Sequence, residues 1–104
     1  MQRLHASIPY DSQRLRAWCQ RWHLRELAFF GSVLRPDFHA DSDIDVLIEV
    51  DPQSPISLFD LADMERELRL LFGRPVHVAE KAGLNPWIGP DILAQRQIAY
   101  VPLQ

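Results

Sequence analysis

The sequence has only one cysteine, Cys19, among its 104 residues, so no internal disulfide can form. A small fold stapled by disulfides is therefore excluded, and a chain of this kind fits the reducing cytoplasm. Cys19 falls on an apolar helix face in the predicted pattern, where a small buried side chain is the expected role.

Long hydrophobic runs are absent as well. No apolar run approaches the roughly 20 residues that are needed to span a bilayer. The first five residues also lack the apolar centre of a secretion signal. We therefore expect neither a membrane segment nor export, and we predict a cytoplasmic protein.

An excess of positive charge is missing too. The chain has 11 lysines and arginines against 14 aspartates and glutamates, which gives a formal net charge of -3. General affinity for nucleic acid requires a basic face, so no direct nucleic-acid partner is expected. A single arginine-lined pocket for a polyanion is still compatible with this composition.

The residues that are present describe an ordinary globular chain. Hydrophobic residues make up 47% and charged residues 24% of the sequence. A chain of this length buries roughly 60 to 70% of its unfolded surface and supports one core. The sequence therefore predicts a single domain over residues 1–104.

Two apolar runs and the polar loop between them are the most informative part of the sequence. The first run reads as a strand over about residues 25–30, and the second as a strand over about residues 44–50. Side chains two apart in a strand share a face, so Asp43 and Asp45 point the same way. Ile44 and Val46 point into the apolar layer and fix the register. Paired carboxylates are most stable around a hard cation, which indicates Mg²⁺ or Mn²⁺.

Asp41, Asp43 and Asp45 also match the opening of a calcium-binding EF loop. That loop requires glycine at its sixth position and glutamate at its twelfth, where this sequence has Val46 and Pro52. The EF interpretation is therefore rejected.

What remains is a Gly31-Ser32 turn directly after the first strand, followed by the Asp43 and Asp45 pair. Backbone donors in such a turn can cradle a phosphate, and the carboxylates can hold the metal bound to that phosphate. The combination predicts a nucleotide site.

The rest of the chain predicts helices and one further strand around these two strands. A helix begins at Asp11 or Ser12, and a second helix begins at the capping box formed by Ser57 and Asp60 and ends at Gly73. Residues 75–80 predict a third strand at a sheet edge, and a brief helical pattern passes through residues 92–95. The polar helix faces are expected to be solvated; they comprise Arg14, Arg16, Gln20 and Arg21 on the first helix and Arg66, Glu67 and Arg69 on the second.

Gly31-Ser32, Arg35 and the run Ser42-Asp43-Ile44-Asp45-Val46-Leu47-Ile48 resemble the signature of the minimal nucleotidyltransferase (MNT) domain of the DNA polymerase β superfamily. The order of helix, strand, Gly-Ser turn, strand with Asp-x-Asp, helix and strand is similar over nearly the whole chain. The resemblance implies an α/β (α+β) fold with a small mixed sheet flanked by helices. It also implies ATP as substrate with Mg²⁺, or Mn²⁺, as cofactor. The partner that it implies is a HEPN-domain ribonuclease toxin, in a hetero-oligomer with this chain as the antitoxin.

By this resemblance, Gly31 and Ser32 would hold the triphosphate and Arg35 would lie beside the phosphates. Asp43 and Asp45 would bind the metal and serve catalysis, because nucleotidyl transfer develops charge at the α-phosphorus as pyrophosphate leaves. Leu34 and Pro36 depart from the small residues that usually follow the Gly-Ser pair.

The third strand departs further, because His77 occupies the place of the family's third carboxylate. His77 is either a catalytic group or an edge-strand histidine, and the sequence leaves both roles open. Three functions follow: an antitoxin that transfers AMP to a toxin tyrosine, a catalytically impaired antitoxin that acts by occlusion, or a transferase for a small molecule.

Partner contact is expected at apolar surface in the last fifth of the chain. The segment Pro86-Trp87-Ile88 together with Tyr100 is the candidate, since aromatic residues are frequent interface anchors. The alternative is that Trp87 only fills the core.

Overall fold

The computed structural model describes residues 2–3, 9–36 and 42–102, and its centre is a four-stranded sheet in the order β5-β4-β3-β6. The strands are β3 (Leu24–Phe30), β4 (Ile44–Val50), β5 (Val76–Glu80) and β6 (Gln97–Tyr100). β3 runs antiparallel to β4 and β6, whereas β4 and β5 are parallel. The predicted mixed sheet of an α+β fold is confirmed, and β5 is an edge strand as expected.

The two long helices begin and end where the capping residues predict. Helix α1 (Ser12–Arg21) begins at Asp11, whose carboxylate accepts hydrogen bonds from the backbone N–H groups of Gln13 and Arg14. Helix α2 (Leu58–Phe72) begins with the complete capping box and ends at Gly73 in the left-handed conformation. Two short strands, β1 (Gln2–Arg3) and β2 (Pro9–Tyr10), pair beside this core.

The core lies between one face of the sheet and helices α1 and α2. Ile44, Val46 and Ile48 are fully buried on this face of β4, as the alternation predicts. The rings of Tyr10 and Phe72 pack against Phe29 at centroid distances of 5.7 and 5.8 Å. The register of β4 is therefore fixed by core packing, and this register turns Asp45 to the other face.

Glu67 joins the two helices, although the sequence pattern places it on the solvated face of α2. Its carboxylate accepts hydrogen bonds from the indole N–H groups of Trp18 at 2.8 Å and Trp22 at 3.0 Å. It also pairs with Arg21 at 2.6 Å. The solvated assignment was wrong for Glu67 because two indoles that pack between helices need an acceptor there.

The second face of the sheet is crossed by residues 81–96, which connect the two edge strands β5 and β6. This segment holds a short 3₁₀ turn (Lys81–Gly83) and helix α3 (Gly89–Gln95). Its ends are fixed to Glu26, which Lys81 contacts at 3.4 Å and Arg96 at 2.6 Å. Glu26 is opposite Glu49 and therefore shares the face of Asp45. The segment crosses this face diagonally. It begins beside the end of β4 that is far from Asp45, and it reaches the start of β6, which is near Phe30.

The crossing segment corrects the expectations for the tail. Ala28 and Leu47 on this second face are fully buried, whereas the Trp87 side chain is 87% exposed. The core-filling interpretation of Trp87 was therefore wrong. Tyr100 is buried, so it does not belong to a surface contact. Among the described residues, no helix is long and apolar enough to cross a membrane.

Candidate nucleotide and metal site

Asp45 and His77 lie side by side on the second face of the sheet. Asp45 is opposite Phe30 of β3 on one side and His77 of β5 on the other. Its Oδ1 atom is 3.8 Å from Nδ1 of His77. The Asp45 side chain is 28% exposed and that of His77 is 66% exposed, so the pair is open to solvent from the β5 edge.

Asp43 immediately precedes β4 and is exposed. Fully buried Ile44 separates it from Asp45, and the charge of Asp43 acts on the Asp45 carboxyl. The two carboxylates are therefore neighbours at the open end of β4.

The Gly-Ser turn contacts the Asp45 carboxylate and the backbone carbonyl of Asp43. A 3₁₀ turn over Gly31–Leu34 follows β3, with Gly31 at φ 73°. The backbone N–H of Ser32 donates to the Asp45 carboxylate. The Ser32 hydroxyl lies 3.4 Å from the carbonyl oxygen of Asp43, which is a long contact. The Ser32 hydroxyl therefore makes only a weak hydrogen bond within the chain.

Gly31 is required at this turn for two independent reasons. A Cβ atom at Gly31 would lie 2.6 Å from Oδ2 of Asp45, and its positive φ disfavours any other residue. Gly73 has the same backbone conformation, with φ 74°, but nothing lies within 4 Å of a Cβ there.

We expect Gly31→Ala to lower the free energy of unfolding by about 2 kcal/mol and to displace Asp45. Gly73→Ala is the matched control. It should lower the free energy of unfolding by only about 1 kcal/mol, the cost of a positive φ at alanine. Urea unfolding of both variants measures the difference. Equal losses at the two positions would show that the Asp45 contact is not a constraint.

The surroundings of Asp45 disfavour its charge. Burial and the neighbouring charge of Asp43 raise its pKa, and this rise exceeds the opposing effects of His77 and of the Ser32 N–H. A bound cation would reverse this balance, because it favours the ionised carboxylate.

The donor set fits a magnesium or manganese ion held together with a nucleotide. No group of three or more histidine, cysteine or acidic side chains is arranged as a metal site among the described residues. Mg²⁺ is commonly bound by one or two carboxylates and completed by substrate phosphates and water. Asp43 and Asp45 supply that number of carboxylates.

The remaining predicted site residue is Arg35. Arg35 follows the 3₁₀ turn, with its backbone N–H bonded to the carbonyl of Ser32 at 3.0 Å and its side chain exposed. Asp41 and most of the predicted turn at residues 36–42 lie outside the described residues.

The sequence interpretation missed Arg74, which donates from Nη1 to the carbonyl of Ser42 at 3.0 Å. The next residue, Pro75, accepts the N–H of Ile44 at 3.1 Å. These bonds fix the start of β4 and hence the position of Asp43. No local sequence pattern indicates this contact, which depends on the parallel pairing of β4 and β5 that brings the residues before each strand together.

Comparison with known proteins decides the family. The nucleotidyltransferase domain family matches residues 12–99. This chain belongs to the nucleotidyltransferase domain family. The protein adenylyltransferase MntA of Thermococcus cleftensis is 33% identical over 82 residues, which cover 79% of this chain and 79% of that protein.

Two solved structures share the nucleotidyltransferase fold. A protein described as a minimal nucleotidyltransferase is 29% identical, with a TM-score of 0.65, over 89% of this chain and 96% of that one. A toxin–antitoxin structure with AMP-PNP is 14% identical, with a TM-score of 0.74, over 90% of this chain and 76% of that one. The DNA polymerase β-like nucleotidyltransferase fold that the resemblance implies is therefore confirmed.

Proposed function

We propose that this chain is an antitoxin that transfers AMP from Mg-ATP to a tyrosine of a HEPN-domain toxin in the cytoplasm. The observation that carries the proposal is the Asp43 and Asp45 pair beside the Gly31-Ser32 turn at the open end of β4. The similarity to a protein adenylyltransferase supports the reaction, and the toxin–antitoxin structure with AMP-PNP shares the fold that it requires.

Each site residue has a defined part in that reaction. Asp43 and Asp45 would hold the metal, which when bound would supply neutralisation of charge on the triphosphate. The Ser32 hydroxyl and the Arg35 guanidinium bind phosphate oxygens. The tyrosine oxygen attacks the α-phosphorus, the bond to the pyrophosphate oxygen breaks, and the tyrosine proton passes to a base.

We propose that His77 takes that proton. Its imidazole borders Asp45 and is largely exposed, so an acceptor hydroxyl can reach it from the β5 edge. A neutral imidazole accepts protons well but is a poorer ligand than a carboxylate for hard Mg²⁺. We therefore propose slow transfer that is faster with Mn²⁺ than with Mg²⁺.

The substitution of histidine for a carboxylate also favours a second candidate, a catalytically impaired antitoxin. Such a protein retains the fold and the nucleotide site and neutralises its toxin by covering it. Both candidates form a hetero-oligomer with the toxin, but they differ in labelling of the partner.

The deciding experiment uses this chain, the protein encoded by the adjacent reading frame and ATP labelled at the α-phosphate. His77→Asp should increase Mg²⁺-dependent labelling of that protein several-fold, and His77→Ala should reduce it about 100-fold if the imidazole is the base. Asp63→Asn, on α2 away from the carboxylates, is the control for general damage. If native and variant chains all neutralise the partner without labelling it, the occlusion mechanism stands instead.

A further inference from the structure

The most exposed large hydrophobic side chain of the described chain is Trp87, and it lies on the segment that crosses the site face. Its side chain is 87% exposed, and neighbouring Ile88 is 56% exposed. Exposed tryptophan is unusual in a folded domain and is characteristic of interface anchors. Residues 81–96 are tied at both ends to Glu26, which shares the sheet face of Asp45, so Trp87 belongs to the side of the sheet that carries the reaction site.

The turn that presents Trp87 is held in one conformation. The Asn85 side chain accepts the backbone N–H of Trp87 at 2.7 Å, and the Asn85 carbonyl accepts the N–H of Gly89 at 2.7 Å. Pro86 and Pro90 restrict the backbone on either side. Both ends of the segment are fixed to Glu26. A rigid anchor of this kind loses little conformational entropy on binding.

The electrostatics of this face select a basic partner. Asp43 and Asp91 are exposed, and Asp45 is partly exposed. The two cations of the crossing segment, Lys81 and Arg96, are already paired with Glu26, and Lys81 also contacts Glu49 at 3.2 Å. A nucleoside triphosphate at Asp43 and Asp45 adds further negative charge. Arg35 is exposed as well, but it is assigned to the phosphates, so the remaining exposed charges named here are acidic.

We infer that Trp87 and Ile88 are the docking contact for the protein that accepts the nucleotidyl group, and that this protein meets them with a basic surface containing an apolar pocket. This inference rests on the proposed function. The most exposed of the other apolar side chains, Leu58, Phe59 and Leu70, belong to α2 on the opposite side of the sheet. An acceptor that reaches Asp45 from the second face would have to extend around the sheet to contact them.

The test compares Trp87→Ala with Phe59→Ala. Both residues are aromatic and equally exposed, at 87% and 85%, so neither change should alter the melting temperature. Calorimetry measures affinity for the protein encoded by the adjacent reading frame, and a separate titration measures ATP binding with Mg²⁺. We expect Trp87→Ala to weaken partner affinity about 30-fold and Phe59→Ala to change it less than about 3-fold. ATP affinity should stay constant in both.

The possible results distinguish a failure of the docking contact from a failure of the proposed function. If Trp87→Ala and Ile88→Ala both bind and label the partner as the native chain does, the docking inference is overturned and the transferase proposal stands. If the native chain neither binds nor labels that protein, the proposed function fails and the docking contact with it. If Trp87→Ala instead turns a dimer of this chain into a monomer at unchanged partner affinity, the occupant is a second copy and the inference is wrong.

Discussion

Replacing Asp43 and Asp45 together by asparagine is expected to reduce metal-dependent nucleotidyl transfer at least about 100-fold. Both carboxylates would be lost as ligands, and no third acidic, cysteine or histidine group completes a metal site among the described residues. Labelling of the partner from ATP labelled at the α-phosphate measures the transfer, and calorimetric titration with ATP, with and without Mg²⁺, measures the accompanying loss of metal-dependent binding. Asp63→Asn is the control, because Asp63 pairs with Arg66 on α2 away from this face.

The same double replacement should not destabilise the fold. The pKa of Asp45 is raised, chiefly by burial, so keeping it ionised costs folding free energy at neutral pH. The native chain regains that free energy as pH falls through the folded pKa of Asp45, whereas the asparagine variant has no such gain. Its melting temperature at pH 7 should therefore equal or exceed that of the native chain, and the difference should shrink in acid. A native-like ATP affinity with unchanged metal dependence would refute the site assignment.

Glu26→Gln is expected to have the largest effect on stability, a loss of about 3 kcal/mol, which corresponds to a fall of about 15 °C in melting temperature. The Glu26 side chain is only 9% exposed and meets two cations, Lys81 and Arg96. Burial alone would raise its pKa, but hydrogen bonding to Arg96 and the charges of both cations outweigh burial and lower the pKa. Removal of its charge leaves two partly buried cations without their shared partner.

The pH dependence of this loss follows from the lowered pKa. The stabilisation by Glu26 is present above the unfolded pKa of about 4.5 and disappears as pH falls through the lower folded value. Thermal unfolding of the native chain and of Glu26→Gln should therefore converge in strong acid. Glu49→Gln is the matched control; its side chain is 41% exposed, so a loss below about 1 kcal/mol is expected. Equal losses at the two positions would contradict the role of burial.

Local patterns predicted the helix and strand bounds because each boundary depends on neighbouring residues. Strand β4 has the predicted limits, Ile44–Val50. Only one register of its alternating side chains buries the apolar residues and keeps the aspartates out of the core. Helix α2 begins and ends at its predicted caps for the same reason. The face on which Asp45 lies was equally predictable. Asp45 alternates with Ile44 and Val46, which face the core, so its side chain must lie on the opposite face.

The errors arose where the outcome depends on which elements meet in space. No local pattern shows that the carboxylate of Glu67 accepts hydrogen bonds from the indoles of Trp22 and Trp18, since these partners are 45 and 49 positions away in the sequence. The choice between a surface and a core role for Trp87 stayed open for the same reason, because it depends on the path by which residues 81–96 cross from one sheet edge to the other. An apolar residue in a proline-rich segment carries no signal of that path.

The crossing segment also determines when the sheet can be completed during synthesis on the ribosome. β3 is synthesised early, yet its outer edge pairs only with β6, and Arg96 reaches Glu26 across 70 positions of sequence. Until those last residues emerge, β3 presents an open edge, and Ala28 and Leu47 lie uncovered beside it. Such an intermediate is prone to strand pairing with other chains. Nascent chains stalled before residue 96 should therefore depend on chaperones far more than the finished protein does.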